Sequence, residues 1–167
     1  MLRTLQGMLT ALLCGLPAPA PGDTTSTFQV SAQVVAGCLV LGGVSNYGNL
    51  DFGSVSALLT GPVTTALSGT TVTLQCTPGM ALNMSIDAGQ NSASASRNLK
   101  RTTGTQLVAY QLFRDAGFSQ SLGINQSVAV TYSDANTIKL PVYARAQLPG
   151  NLPAGTYTDV VQVTLTW

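Results

Sequence analysis

Apolar and polar residues alternate with a period of two from residue 27 to 36, where Phe28, Val30, Ala32, Val34 and Ala36 share one side of an extended chain and Gln29, Ser31 and Gln33 the other. The same alternation recurs downstream. Val72, Leu74 and Cys76 form a stripe over 70–76; Leu82, Met84 and Ile86 form another over 82–87, after the Pro78-Gly79 turn. Residues 49–55 alternate more weakly through Leu50 and Phe52, with Gly53 placed as a bulge or kink. Strands are also predicted over 108–114, 118–123, 127–132 and 137–145, the last interrupted by Pro141 as at an edge or bulge. The final strand runs over 156–167, with Tyr157, Val161, Val163, Leu165 and Trp167 on one face and Asp159 among them. The Thr/Ser/Gly stretch after residue 55 reads as a connection, as does the polar loop 89–96. No segment sustains a helical period, and turn signals every eight to twelve residues or so predict an all-β sandwich.

A chain of 167 residues makes one domain with a core of useful size. Charged residues are only 8% and the net charge is +1, so no basic patch points to nucleic acid. Arg97, Lys100 and Arg101 cluster around Leu99 and read as a solvated rim. Arg3, the apolar run 5–16 and Ala18-Pro19-Ala20 read as a signal peptide over 1–22, which implies export. Removing it leaves two cysteines, Cys38 and Cys76, and in an exported chain an even pair is expected to form a disulfide. Closing that loop of roughly 39 residues is worth about 4 kcal/mol in the chain-entropy account.

The residues that chemistry needs are scarce. With no His and no Glu, triad and acid–base catalysis are poorly served, and the six Asp sit at strand ends and turns, as in Asx turns. No nucleotide-binding or metal-ligand spacing occurs, so the expectation is a protein without enzymatic activity, cofactor, catalytic residue or metal. A glycan-binding groove would call for clustered aromatics, whereas Tyr47, Phe118, Tyr132 and Tyr143 are scattered along the chain. The strand at 27–36 has two fates. It can pair within its own domain, giving a monomer, or be lent to the open sheet edge of a neighbour, giving a polymer.

The order of motifs resembles the spore coat protein U-like family, which includes subunits of archaic chaperone–usher pili. The matching pieces are Gly37-Cys38, Leu50-Asp51-Phe52-Gly53, Val72-Thr73-Leu74-Gln75-Cys76, the run 107–115 (LVAYQLFRD), Leu140-Pro141-Val142-Tyr143-Ala144-Arg145, and Pro153-Ala154-Gly155-Thr156-Tyr157-Thr158-Asp159 leading into the last strand. Ala144 stands where the family often has Gly, and Leu122-Gly123 where it often has Trp-Gly. The resemblance implies an incomplete immunoglobulin-like sandwich at 37–167 with an N-terminal donor strand at 23–36. It also implies an acceptor groove beside a chaperone-facing terminal strand carrying Tyr157, Val161, Val163, Leu165 and Trp167. Phe28, Val30, Ala32, Val34 and Ala36 would then plug the groove of the next subunit. The implied partners are a periplasmic pilus chaperone, an outer-membrane usher and other pilus subunits in a homo- or heteropolymer. The implied route runs through the periplasm to a cell-surface pilus that supports adhesion and biofilm formation. The alternative is a secreted monomeric binding protein, or a spore-coat protein that forms no fibre.

Overall fold

The computed structural model describes residues 29–41, 47–67 and 73–167. The chain divides into two compact units, Met1–Val34 and Val35–Trp167. In the first unit the described residues 29–34 belong to no strand, and Val30 and Val34 are exposed. Phe28 lies outside the described residues.

The second unit is all-β, and no described residue is helical. Its strands are β1 (Cys38–Leu41), β2 (Thr60–Ala66), β3 (Thr73–Cys76), β4 (Leu82–Ile86), β5 (Arg97–Arg101), β6 (Leu107–Phe113), β7 (Val128–Val130), β8 (Tyr143–Pro149), β9 (Tyr157–Thr158) and β10 (Val163–Thr166). They form a five-stranded sheet in the order β2-β8-β6-β5-β9, a three-stranded sheet β10-β4-β7 and a two-stranded pair β1-β3, with every strand pair antiparallel. Inward residues of both larger sheets meet in one core. Leu82, Met84 and Ile86 come from β4, Val108, Tyr110 and Leu112 from β6, and Ala144, Ala146 and Leu148 from β8. The strict alternation in β4 puts three large apolar side chains on one face. Each contributes about 1.5–3 kcal/mol by burial.

The expected disulfide is present. Cys38 and Cys76 are directly opposite in the β1–β3 ladder and are bonded to each other. Three predicted elements change. Residues 49–55 form no strand; Asp51 Oδ1 accepts from Gly53 N at 2.8 Å, an Asx turn that spends the backbone locally while Phe52 still packs on the core. The stretch read as a connection contains β2 instead. Its Gly61 and Pro62 hide the strand signal, and Pro62 is tolerated because β2 is the outermost strand of its sheet. Residues 118–123 contribute only a bridge at Ser121. The 70–76 and 82–87 segments lie in different sheets: β3 pairs with β1, whereas β4 pairs with β10 and β7.

The predicted terminal strand is divided in two. Tyr157 and Thr158 pair with Arg101 and Lys100 in the larger sheet, and Val163–Thr166 pairs with β4 in the smaller one. The connector between them crosses from sheet to sheet, and that crossing shapes the site.

Candidate groove beside the terminal strand

β10 is the outermost strand of its sheet, hydrogen-bonded to β4 on one side. Its other edge offers alternate N–H and C=O groups with no strand opposite among the described residues, a template for a further strand. A cavity of about 1430 Å³ opens between the sheets and reaches the start of β10 at Val163. Val108 and Leu112 of β6 and Ala144, Ala146 and Leu148 of β8 form its floor. Val161 and Val163 form one wall, and Leu50 and Phe52 contribute to the opposite one. Ala144 and Ala146 are fully buried and present only a Cβ to the cavity.

One end of the groove is polar, and its parts come from five segments. Tyr110 Oη donates to Asp159 Oδ2 at 2.7 Å, and Asn91 donates to Asp159 Oδ1 from both N and Nδ2 at 3.1 Å. Asp87 Oδ1 accepts from Gln162 N and Gly89 N, each at 2.9 Å. Backbone bonds from Asp87 N to Gln162 O and from Gln90 N to Val160 O complete the clamp on the 159–162 connector. Behind it Arg97, only 4% exposed, donates to the carbonyls of Asp87, Ile86, Leu122 and Gly123 at 2.7–3.2 Å. Burial lowers the Arg97 pKa, while Tyr110, Asp87 and Asp159 pull it back up. Burial likewise pushes Tyr110 far above its ordinary value, and its hydrogen bond to Asp159 adds to the rise. The clamp holds a neutral phenol, the side chains of Asp87 and Asp159 and a guanidinium in one hydrogen-bonded set.

The residues singled out in the terminal stretch have separate places. Tyr157, Val161 and Val163 line the groove; Leu165 packs on the core, and Trp167 is largely exposed with its indole Nε1 close to Gly37. Of the N-terminal stripe, Val30, Ala32, Val34 and Ala36 are exposed and in no strand. The basic cluster is not a uniform rim. Arg97 is the buried centre of the clamp, Arg101 donates to Ala154 O, and Lys100 is exposed. Sequence reasoning missed the roles of Arg97 and Tyr110. A signal existed in Asp159, which shares the parity of Tyr157, Val161 and Val163; a carboxylate on an apolar stripe demands a partner. Among the described residues, no three metal-ligating side chains come together.

The model of the Spore Coat Protein U domain matches residues 24–164. No curated protein matches the chain. Among solved structures, a chain of the CsuC–CsuE chaperone–tip adhesion subunit pre-assembly complex, from archaic chaperone–usher Csu pili of Acinetobacter baumannii, is similar over 80% of this chain, with 20% identity and a TM-score of 0.50. A chain from a chaperone–tip adhesin complex of CFA/I fimbriae biogenesis is similar over 78%, with 16% identity and a TM-score of 0.44. This chain spans 40% and 41% of the lengths of those two. The first likeness agrees with an all-β, immunoglobulin-like fold, and the match over residues 24–164 settles the family: the chain belongs to the Spore Coat Protein U domain family.

Proposed function

We propose that this protein is a non-enzymatic structural subunit of a chaperone–usher pilus, exported through the periplasm and polymerised by donor-strand exchange. The observation that carries the reading is the 1430 Å³ cavity, with Val108, Leu112, Val161 and Val163 in its lining, that reaches the start of β10, whose outer edge has no partner strand among the described residues. A strand laid there would pair its backbone with β10 and send alternate side chains inward over Ala144 and Ala146. The segment with that pattern is the chain's own N-terminal stretch 23–36, whose stripe Phe28, Val30, Ala32, Val34 and Ala36 would fill the groove of the next copy. Before assembly a chaperone strand would occupy the same groove, and an usher would order the exchange. Head-to-tail donation is heterologous and does not close on itself, so repetition grows a filament suited to adhesion and biofilm formation. Family membership and the fold shared with a chain from a chaperone–subunit complex support the reading.

The test is to compare the periplasmic full chain with a 23–36 deletion and with the full-length Val30→Asp/Val34→Asp double variant, by sizing and by heat stability in SDS. Ladders from the full chain and single subunits from both variants are the expected result. Equal, folded monomers from all three would reject strand donation and favour a secreted monomeric protein.

A further inference from the structure

A second feature lies on the opposite face of the large sheet, away from the groove. On β6 and β8 the register places Phe113 opposite Tyr143 and Gln111 opposite Arg145. Phe113 has the outward parity of the exposed Leu107, Ala109 and Gln111, yet it is only 4% exposed. The cover is the loop after β6, which folds back through Arg114 N to Gln120 O and the Phe113–Ser121 bridge. Asp115 builds this loop, accepting from Ser119 N, Ser119 Oγ and Gln120 N at 2.7–3.1 Å. Phe118 sits at its turn with φ of +56°, a conformation bulky side chains avoid. The loop holds that strain while setting the Phe118 ring edge-on to Phe113 at 5.4 Å and to Tyr143 at 6.5 Å.

Arg145 completes the patch, its guanidinium carbon 4.9 Å from the Phe113 centroid and 5.8 Å from that of Phe118. Its one side-chain hydrogen bond among the described residues is a long one, to Gln111 Oε1 at 3.4 Å. Nearby Arg114 Nε donates to Gln120 Oε1 at 2.5 Å. No described carboxylate pairs with either guanidinium; the nearest in sequence, Asp115, is committed to the loop. Phe118 and Tyr143, distant in sequence, thus meet at Phe113 beside a cation that no described carboxylate pairs, flanked by exposed amide side chains.

We propose that this patch binds a carboxylated sugar, a uronic or sialic acid residue of a surface glycan. Arg145 presents a planar fork that matches a carboxylate, its guanidinium carbon over the rings of Phe113 and Phe118. The half-exposed rings of Phe118 and Tyr143 offer an apolar platform for the C–H face of a pyranose, and Gln111 and Gln120 offer donors and acceptors to its hydroxyls. The backbone of β8 at Arg145 is paired on both sides within the sheet, to β2 and to β6, so an acidic peptide could not add as a strand along it. This site is independent of strand donation.

The experiment titrates the purified full chain with glucuronate, N-acetylneuraminate, glucose and a short glutamate peptide. The readouts are the NMR signals of the Arg145 side-chain Nε–H and the Phe118 ring. Saturable shifts are expected for at least one acid sugar, which identifies the class, with binding at least about tenfold weaker for glucose and for the peptide. Arg145→Gln and Arg145→Lys should each lose about tenfold or more, the second because it keeps charge but not the fork. Phe118→Gly relieves the strained φ but loses the ring packed on Phe113, and should bind at least about tenfold more weakly with the Arg145 Nε–H signal as readout, whereas Lys100→Gln should bind normally. Equal shifts for glucose or the peptide, full binding by Arg145→Gln, or no saturable shift for either acid would each overturn the proposal.

Discussion

Replacing Arg97 by Met keeps a long apolar stem and removes the guanidinium from the clamp. Of the four carbonyls it serves, Ile86 O retains Asn125 N at 2.8 Å and Gly123 O retains Gln126 N at 3.3 Å. Asp87 O and Leu122 O lose the donor they have in Arg97. A buried acceptor left unsatisfied costs about 1–3 kcal/mol, so the pair gives about 2–6 kcal/mol. Relief of the cation's own desolvation offsets part of that, and about 3 kcal/mol remains. Domain stabilities are typically about 5–15 kcal/mol, so this is a large fraction. At this chain size it corresponds to a fall in Tm of about 6–12 °C. Arg101→Met is the control, because Arg101 reaches only Ala154 O at an exposed site where water can replace it. Its expected cost is below about 1 kcal/mol. Urea midpoints and thermal melts of both variants against the parent chain provide the measurement. If the two variants fall within about 1 kcal/mol of each other, Arg97 is not the centre of a buried network and the reasoning fails.

Further outcomes follow from the same geometry. Replacing Cys38 and Cys76 together by Ser should lower stability by about 4 kcal/mol in chain-entropy terms, seen as a reduced urea midpoint, while reducing agent should leave that variant unchanged. Val163→Asp puts a charge on the groove wall and should abolish SDS-resistant ladders while the disulfide still forms; ladders at parent level would count against the groove. Partial desolvation nudges Asp115 upward, but bonds from Gln120 N and Ser119 outweigh it and hold the carboxyl below its ordinary value. The bound form stabilises the loop above about pH 4, and that support is lost as pH falls through the lowered value; Asp115→Asn should flatten the acid dependence of the Phe118 NMR signals. Tyr110 runs the other way. Its raised pKa gives stability that is present below about pH 10 and lost as pH rises further, so Tyr110→Phe should remove that part of the alkaline destabilisation in melts recorded from neutral pH upward.

Parity served well where burial is one-sided. The stripe at Leu82, Met84 and Ile86 needed no tertiary information, because each large side chain alternates with a polar one. β2 was illegible because an edge strand tolerates the Gly61-Pro62 pair that a central strand would not. The 156–167 stretch kept one parity throughout, yet the chain changes sheets at 159–162. Nothing in the alternation marks that crossing, since it is fixed by bonds to Asp87, Gln90 and Asn91, distant in sequence. Arg97 was read as solvated because cations near loops usually are; its burial depends on four carbonyls that converge only in the folded sheet pair. The groove itself was anticipated only through family resemblance. Its lining comes from segments far apart in sequence, 47–57 and 152–163 with β6 and β8, which no local pattern brings together.

Strand acceptance at β10 is tested most directly by hydrogen exchange of the chain's amides on adding a synthetic peptide of residues 27–36. The account predicts new protection at edge-facing amides of Val163–Thr166, and none from the same peptide with Asp at the positions of Val30 and Val34. Protection elsewhere, or equal protection by both peptides, would contradict it.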